Sequence, residues 1–192
     1  MVFLALFRSP TAAAPSREEF ERAALPHLPE IYRTAVGLLG GNRTEAEDLA
    51  QDVFLEAWKS FHRFEPGTNI RAWLHKILVH RASHLRRRLF RVLPFGNKDE
   101  ARGDIQPEEI AVEIEVPDHL SDRQVVQAVA QVPSPFREAL ILAEVRGFSY
   151  QEIATMTGAP IGTVMSRLSR GRRLLREGLA AVADERGLGG GR

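Results

Sequence analysis

The sequence predicts an all-α fold of two small helical domains joined by an acidic linker, with a helix-turn-helix in the second domain. Apolar residues recur at helical spacing, and convincing two-residue alternation is absent. A Pro- and Gly-containing acidic stretch divides the chain into two helical blocks. Four hydroxyl residues are followed three positions later by Glu or Gln, the capping-box pattern of helix N-termini. These pairs are Ser16 with Glu19, Thr44 with Glu47, Ser121 with Gln124, and Ser149 with Glu152.

The first helical block covers residues 16–91. Prolines interrupt its first helix, because proline lacks the backbone N–H that a helix interior needs. Turn residues at 40–42 and the loop EPGTN at 65–69 separate the later helices. We expect helices over residues 16–39, broken near Pro26 and Pro29, then over 44–61 and 70–91.

The second helical block covers residues 120–182 and follows the flexible acidic linker at 92–119. The linker combines dense acid with helix-breaking residues, which are Pro94, Gly96, Gly103, Pro107 and Pro117. We expect helices over residues 121–132, 135–146, 149–157 and 160–182. The N-terminus at 1–15 and the tail at 183–192 are expected to be disordered.

Composition excludes several classes of protein. The 192-residue chain contains no cysteine, which excludes disulfides and thiolate metal sites. His80 and His84 are four residues apart, but no third metal ligand lies beside them. The apolar start is too short to span a membrane, and no nucleophile-and-base set, phosphate loop or dinucleotide-binding glycines appear. We therefore expect a soluble, cytoplasmic protein that is not an enzyme and has no cofactor, metal, membrane insertion or small-molecule substrate.

Charge is segregated along the chain, although the net charge is only +1. Residues 44–58 carry five acids and no base, and residues 71–91 carry seven Lys or Arg and no acid. Residues 99–122 carry nine acids against Arg102 alone, and residues 160–176 carry five arginines and no acid. Such segregation indicates partners of opposite charge.

The last predicted helix has an apolar face and a basic face. At 100° per residue, the apolar stripe is Ile161, Val164, Leu168, Leu175, Leu179 and Val182, and the opposite face is Gly162, Thr163, Ser166, Ser169, Arg170 and Arg173. The short helix SYQEIATM and the turn TGAP come before it, which is the helix-turn-helix plan. The arginines available to bond phosphates or guanine are Arg170, Arg172, Arg173 and Arg176. We interpret this face as DNA-binding; the alternative is a solvated helix, which would normally mix both signs of charge.

An acidic face lies on the second predicted helix. Its members are Glu45, Asp48, Asp52 and Glu56, beside a buried stripe of Ala46, Leu49, Ala50, Val53, Phe54, Ala57 and Phe61. Like charges repel each other unless a basic partner faces them. We interpret the face as a protein-binding surface, with a merely solvated face as the alternative.

A basic face lies on the third predicted helix. That helix is expected to pack through Ile70, Leu74, Ile77, Leu78 and Leu85, and to expose Lys76, His80, Ser83, Arg86 and Arg87. Basic side chains beside an aromatic ring suit single-stranded or opening nucleic acid, through phosphate attraction and stacking. Trp73 supplies the ring, although a core position is its favoured interpretation.

Three motifs in the same order resemble the extracytoplasmic-function (ECF) type of bacterial RNA polymerase sigma factors. AEDLAQDVFLEAWKSFHRF resembles the family's polymerase-binding helix, GTNIRAWLHKIL its downstream promoter-reading helix, and FSYQEIATMTGAPIGTVMSRLSRGRRLL its helix-turn-helix. The resemblance covers residues from about 18 to 180. It implies a sigma region 2 domain at 16–91 and a region 4 domain at 120–182. It also implies an alternative sigma factor that binds core RNA polymerase and directs promoter recognition, DNA melting and transcription initiation.

The same resemblance implies roles for three sets of residues. The largest-subunit clamp helices of the polymerase would meet Asp48, Leu49, Gln51, Asp52, Phe54 and Leu55. The minus-ten element would meet Phe64, Glu65, Pro66, Gly67, Thr68, Asn69, Lys76, His80, Arg86 and Arg87. The minus-thirty-five element would meet Thr163, Ser166, Arg167, Ser169, Arg170, Arg173 and Arg176. The flap of the second-largest subunit is a further expected contact, and the linker would thread toward the active-site cleft and RNA exit path.

Two departures from the family pattern leave the promoter sequence open. His80 stands where many members have Asn, and Met165 stands where many have Arg or Lys. GTVMSRLSRGRR together with GTNIRAWL is more similar to the subgroup that small zinc-containing anti-sigma proteins hold inactive. An anti-sigma factor is therefore an expected partner.

Two other functions are alternatives. An autonomous helix-turn-helix regulator, whose first domain senses a ligand or dimerises, would bind duplex DNA tightly without polymerase. A helical protein-binding adaptor would use the acidic face and leave both basic faces without a role.

Overall fold

The computed structural model describes residues 16–92 and 122–184, and within these two ranges the secondary structure is helical, with no strand. The helices are α1 (Arg17–Ala24), α2 (Leu28–Leu38), α3 (Arg43–Ser60), α4 (Ile70–Val92), α5 (Asp122–Gln131), α6 (Ser134–Leu140), α7 (Tyr150–Thr157) and α8 (Ile161–Asp184). Short 3₁₀ turns follow α1 and α3, and a π-helical segment at Ile141–Val145 continues α6. The all-α prediction is confirmed. The expected linker and both expected disordered termini lie outside the described residues, apart from Val92, Ala183 and Asp184.

Side-chain caps fix the starts of α1 and α7. Ser16 Oγ accepts a hydrogen bond from the Glu19 amide at 3.2 Å, and the Glu19 carboxylate accepts one from the Ser16 amide at 2.8 Å. Ser149 and Glu152 repeat this reciprocal pair at 3.3 and 2.9 Å. Both capping boxes were expected from the sequence and are confirmed.

The capping box expected at Thr44 is wrong. Asn42 Oδ1 accepts from the Glu45 amide at 3.2 Å, so α3 already begins at Arg43. Asparagine is a strong cap because its short side chain reaches the free amides of the first turn from an extended backbone. The box expected at Ser121 lies outside the described residues.

The break between α1 and α2 falls at the expected prolines. Pro26 lies in the 3₁₀ turn Leu25–His27, and Pro29 lies in the first turn of α2. Proline is tolerated there because the first amides of a helix have no helical acceptor. The chain can therefore turn without leaving a buried N–H unpaired.

The first domain packs α1–α4 around one apolar core. Its most deeply buried large side chains are Ile31, Leu38, Val53, Leu74 and Leu78. Each is almost fully removed from solvent, so truncation to Ala would cost about 2–5 kcal/mol. This core holds α3 and α4 side by side.

The second domain places α7 and α8 as a helix-turn-helix. Gly158 ends α7 with φ +67°, a left-handed conformation that a β-carbon would disfavour. The buried face of α8 consists of Val164, Leu168, Leu175 and Leu179. Gly171 on α8 lies so close to α6 that an added β-carbon would approach Leu140 Cγ to 2.9 Å. Ile161 was expected in the apolar stripe but is 45% exposed.

The two domains pack against each other, and their cores interlock. Ile141 of the second domain belongs to the first core, and Val79 of α4 belongs to the second. Gly37 of α2 permits this contact, because a β-carbon at Gly37 would meet Ile141 Cδ1 at 2.8 Å. None of the described helices combines the length and apolar character that a membrane span requires.

Candidate nucleic-acid and polymerase interfaces

The α8 helix presents part of its arginine set to solvent. Arg173 is 62% exposed and lies 3.9 Å from the equally exposed Glu177, and Arg176 is exposed. Arg167 and Arg170 are half-buried. Arg172 points elsewhere: its Nη2 donates to Glu144 Oε1 at 2.6 Å and to the Tyr150 hydroxyl at 3.2 Å. Arg172 therefore ties α8 to its own domain.

Small polar residues precede these arginines on α8. Thr163 and Ser166 are half-buried, and Ser166 Oγ donates to the Thr163 carbonyl at 3.0 Å. Ser169 was expected at the DNA surface, and this expectation is wrong for its side chain, which is buried at 8% exposure. Ser169 lies one turn before Arg172, on the flank of α8 that turns toward the rest of the second domain.

The acidic face of α3 is narrower than the sequence indicated. Asp48, Gln51 and Asp52 are exposed, and Leu55 is 52% exposed among them. Glu56 instead accepts from Arg81 Nη2 at 2.6 Å, so α4 neutralises this end of the stripe.

Two apolar residues of α3 expected at the polymerase interface take other positions. Leu49 is 4% exposed and packs in the first core, so its assignment to the interface is wrong. Phe54 is half-buried against the same core. Sequence reasoning missed Trp58, which is 41% exposed one turn after Leu55 and meets Phe20 edge-on at 5.3 Å. The i,i+3 spacing of Leu55 and Trp58 was the available signal.

The loop before α4 is built on aromatic rings. Phe64 stacks on Phe61 with centroids 5.7 Å apart and lies 5.2 Å from Trp73. Residues 65–69 are exposed. Asn69 Oδ1 accepts from the Ala72 amide at 3.1 Å, and Thr68 Oγ1 donates to the Glu65 carbonyl at 2.7 Å. These bonds hold the loop in shape while its backbone stays open to solvent.

The basic face of α4 is divided by the second domain. Lys76, His80 and Arg87 are exposed. Arg86 is not: its Nη2 donates to Glu138 Oε2 on α6 at 2.6 Å. The His80 and His84 rings lie 4.5 Å apart. No group of metal-ligating side chains was found in the part of the chain that the structure describes.

A polar network that the sequence did not predict joins the two domains beneath α4. Arg71 donates from Nε and Nη2 to Glu30 at 2.9 and 2.6 Å, and from Nη2 to the Arg146 carbonyl at 2.6 Å. Arg146 Nε donates to Thr34 Oγ1 at 2.7 Å. Burial alone would raise the pKa of Glu30, but the hydrogen bonds and charge of Arg71 outweigh it and lower that pKa. The sequence shows an acid on α2 and an arginine on α4, but helical periodicity does not indicate which residues of different helices form a pair.

His75 lies at the centre of this network and is fully buried. Its Nδ1–H donates to the Arg71 carbonyl at 2.8 Å, and its ring meets Phe148 edge-on at 4.9 Å. Burial lowers the pKa of His75 to about 4. The imidazole is therefore neutral at pH 7, and its 3.8 Å approach to Glu30 is not an ion pair there.

Each of the two helical domains presents a basic helix face, on α4 in the first domain and on α8 in the second. This arrangement defines a nucleic-acid-binding protein with two modules. Residues 24–91 match the family Sigma-70 region 2, and residues 122–175 match Sigma-70, region 4. The chain is 32% identical over 169 residues to the ECF RNA polymerase sigma factor EcfG of Rhodopseudomonas palustris, covering 84% of this chain and 85% of that protein. It is 35% identical over 178 residues to the ECF RNA polymerase sigma factor SigE of Mycolicibacterium smegmatis, covering 91% of this chain but spanning only 65% of the length of SigE.

A solved structure agrees with these relatives. The sigma factor RpoE of Bartonella quintana, crystallised in complex with the anti-sigma factor NepR, is similar with a TM-score of 0.66 and 31% identity. The match covers 85% of this chain and 98% of that one. The chain belongs to the ECF family of RNA polymerase sigma factors. It is an alternative sigma factor, a non-catalytic protein that binds core RNA polymerase and directs promoter recognition and transcription initiation.

Proposed function

We propose that the exposed face of α3 is the surface that docks on the clamp helices of the largest polymerase subunit. The observation that supports this most is an apolar residue, Leu55, exposed among Asp48, Gln51 and Asp52 on a rigid helix. Interfaces commonly combine an apolar anchor with a charged rim that steers association. Trp58 extends this anchor by one turn. Leu49 supports the face only from within the core.

The loop at 64–69 and the exposed part of α4 would bind the minus-ten element. The loop backbone is open and its shape is held by Asn69 and Thr68, so ordering it on DNA would cost little conformational entropy. Phe64 and Trp73 supply rings beneath the loop for a flipped base. Lys76, His80 and Arg87 would contact the opening strand.

The start of α8 would enter the major groove of the minus-thirty-five element. Thr163 and Ser166 are small enough for close approach to base edges. Arg173 and Arg176 extend along the same helix and would neutralise phosphates, with Arg167 and Arg170 nearer to the bases. The second domain would also meet the flap of the second-largest polymerase subunit.

An anti-sigma factor is the further partner that we propose. The RpoE structure is a complex with the anti-sigma factor NepR. The motifs GTVMSRLSRGRR and GTNIRAWL support a small zinc-containing protein as the regulator of this chain. Because polymerase and DNA are in the cytoplasm, we also place the protein there. Affinity capture from the native host, followed by zinc analysis of the captured protein, tests the partner; recovery of polymerase subunits alone would contradict it.

Transcription in vitro tests the central proposal. Core polymerase and the full chain are incubated with a small promoter library, and start sites that depend on the added chain are mapped. Asp52→Lys should abolish these starts, whereas Glu47→Lys, an exposed acid outside the proposed face, should preserve them. Absence of chain-dependent starts with the unsubstituted protein would contradict the proposal.

A further inference from the structure

The contact between the two domains covers surfaces that promoter DNA would use. Lys76 lies in a cleft of about 250 Å³ whose first wall is α4 and whose second wall is α7. The cleft is lined by Ala72, Trp73, Lys76, Gln151, Glu152, Thr155 and Met156. A strand drawn along Lys76 beside Trp73 would therefore meet α7. The packed arrangement obstructs part of the minus-ten surface.

Arg86 is withdrawn from the basic face in the same arrangement. Its guanidinium bonds Glu138 across the domain boundary at 2.6 Å, and the two side chains are 20% and 6% exposed. A phosphate and the Glu138 carboxylate offer the same recognition to a guanidinium, since both accept charge-assisted hydrogen bonds. While it is buried against Glu138, Arg86 is withheld from phosphates on the outer face of α4.

Size leads to the same conclusion. The minus-ten and minus-thirty-five elements are about 25 base pairs apart, which is about 85 Å of duplex at 3.4 Å per base pair. A compact body of the described length has a radius of gyration of about 14 Å and a diameter of roughly 37 Å. The packed chain cannot reach both elements, so the two domains must separate on the promoter.

The contact around Arg86 is also incompletely satisfied. Arg86 bonds the Glu138 carboxylate, whereas Arg137 donates to backbone carbonyls only, and burial followed by the charge of Arg86 lowers the pKa of Arg137. Among the residues that the structure describes, Arg86 Nη1 and Arg137 Nε are buried and have no hydrogen-bond partner. Unpaired buried donors destabilise an arrangement relative to one in which water or phosphate reaches them. This end of the contact therefore keeps two such donors, although Arg137 Nη2 donates to the Leu38 carbonyl of the first domain at 3.0 Å.

We propose that the packed arrangement is a self-inhibited state of the free chain, in which Glu138 occupies Arg86 and α7 covers the Lys76 side of α4. Opening releases both domains, and promoter phosphates replace Glu138 on Arg86. This inference rests on the proposed function, because it assigns the covered surfaces to promoter DNA. Polymerase binding and DNA binding would each stabilise the open state by mass action.

Two substitutions open the contact by different means. Glu138→Gln keeps the side-chain shape but removes the charge that holds Arg86. Gly37→Leu places a wedge at the domain boundary, because the β-carbon alone would already lie 2.8 Å from Cδ1 of Ile141 in the second domain. Adding Ile141→Ala removes the atoms that the wedge strikes and should restore closure. Glu144→Gln is the matched control, because Glu144 pairs with Arg172 inside the second domain.

The readouts are the radius of gyration of the full chain by small-angle X-ray scattering and its affinity for a mixed-sequence single-stranded DNA. If the closed state holds about nine tenths of the molecules, opening should raise affinity about tenfold. Glu138→Gln and Gly37→Leu should raise both quantities, while Gly37→Leu/Ile141→Ala and Glu144→Gln should match the unsubstituted chain. Circular dichroism checks that each variant keeps its helix content, and Glu138→Gln serves alone if the wedge unfolds the chain.

Two results would overturn the inference. One is a radius of the unsubstituted chain that already corresponds to separated domains; the other is an affinity that Glu138→Gln does not change. Failure of the proposed function is a different result, seen as absence of chain-dependent start sites with core polymerase. Transcription that proceeds while the opening variants keep the original radius and affinity would reject self-inhibition alone.

Discussion

Arg71 holds Glu30 with two nitrogens, Nε at 2.9 Å and Nη2 at 2.6 Å from Oε1, and so links α4 to α2. The same guanidinium lies 4.3 Å over the Phe148 ring of the second domain and bonds the Arg146 carbonyl. One side chain thus joins α4, α2 and the turn at residues 146–148 of the second domain. These contacts require a planar guanidinium with forked N–H donors, which the ammonium group of lysine does not provide.

Arg71→Lys should therefore destabilise the fold despite keeping the charge. The pair is partly exposed, at 31% and 21%, so we expect a loss of about 1–2 kcal/mol, below the value for a fully buried pair. Urea unfolding followed by circular dichroism measures the change. Arg17→Lys is the matched control, because Arg17 and Glu21 form a solvent-exposed pair, and its unfolding midpoint should not move. A midpoint unchanged by Arg71→Lys would show that the fork does not stabilise the contact.

Stability should depend on the protonation of His75. Burial lowers its pKa to about 4, against an ordinary value near 6.5. Between pH 6.5 and 4, His75 is therefore protonated in the unfolded chain and neutral in the folded chain. Stability is then complete above pH 6.5, and falls as the pH is lowered toward 4. The span is about 3 kcal/mol at 1.4 kcal/mol per pH unit. Urea midpoints measured from pH 7.5 to 4.5 follow the loss.

His75→Phe isolates this contribution from that of the carboxylates. Glu30 has a lowered pKa and also loses stabilisation in acid, so the unsubstituted chain shows both effects. The Phe variant should be less stable at pH 7, because the bond to the Arg71 carbonyl is lost. Its dependence on pH should nevertheless be shallower by about one proton. If the curves of stability against pH were parallel for the two proteins, protonation of His75 would not contribute to the pH dependence.

Leu49 and Leu55 should separate folding from polymerase binding. Leu49→Ala empties part of the first core and should cost about 2–4 kcal/mol in unfolding free energy. Leu55→Ala removes an exposed side chain and should change stability by less than about 0.5 kcal/mol. It should weaken binding to core polymerase about tenfold, a typical loss for an apolar anchor. Unfolding curves and fluorescence-detected binding to core enzyme distinguish the two; equal binding losses per unit of folded protein would contradict the assignment.

Local sequence signals predicted the helices well, and contacts between helices poorly. The prolines at 26 and 29 and the boxes at Ser16 and Ser149 determine their own neighbourhoods, so they could be recognised without the fold. Thr44 failed because Asn42, two residues earlier, competes for the same free amides. The confirmed capping boxes and the failed one at Thr44 were all decided by hydrogen bonds between residues close in sequence.

The charged faces were predicted only in part, because pairing depends on tertiary distance. Helical periodicity places Ser169 on the outer face of α8 and Arg86 on the outer face of α4. In the structure Ser169 is buried, and Arg86 is paired with Glu138 of the second domain. Leu49 belongs both to the apolar stripe of α3 and to the motif that resembles the family's polymerase-binding helix. In the structure its side chain packs in the core. The buried network of His75 had no periodic signature.

Arg173 and Arg172 are adjacent in sequence but should differ in their effect on DNA binding. Arg173 is 62% exposed on α8 and is free to meet a phosphate, whereas Arg172 is held by Glu144 and Tyr150. Each phosphate contact releases condensed counterions, so the affinity for duplex falls with salt by a slope of about 0.9 per contact. Arg173→Ala should therefore weaken binding to all sequences and reduce the slope of log K against log salt by about one.

The adjacent substitution controls for loss of positive charge alone. Arg172→Ala should leave the salt slope close to that of the unsubstituted chain, and should instead lower the unfolding midpoint, because the bonds to Glu144 and Tyr150 are lost. Titrations use the full chain with a labelled duplex at several salt concentrations, below the range where binding saturates. If both substitutions reduced the slope equally, general electrostatic attraction would explain the binding, and α8 would have no defined phosphate contact at Arg173.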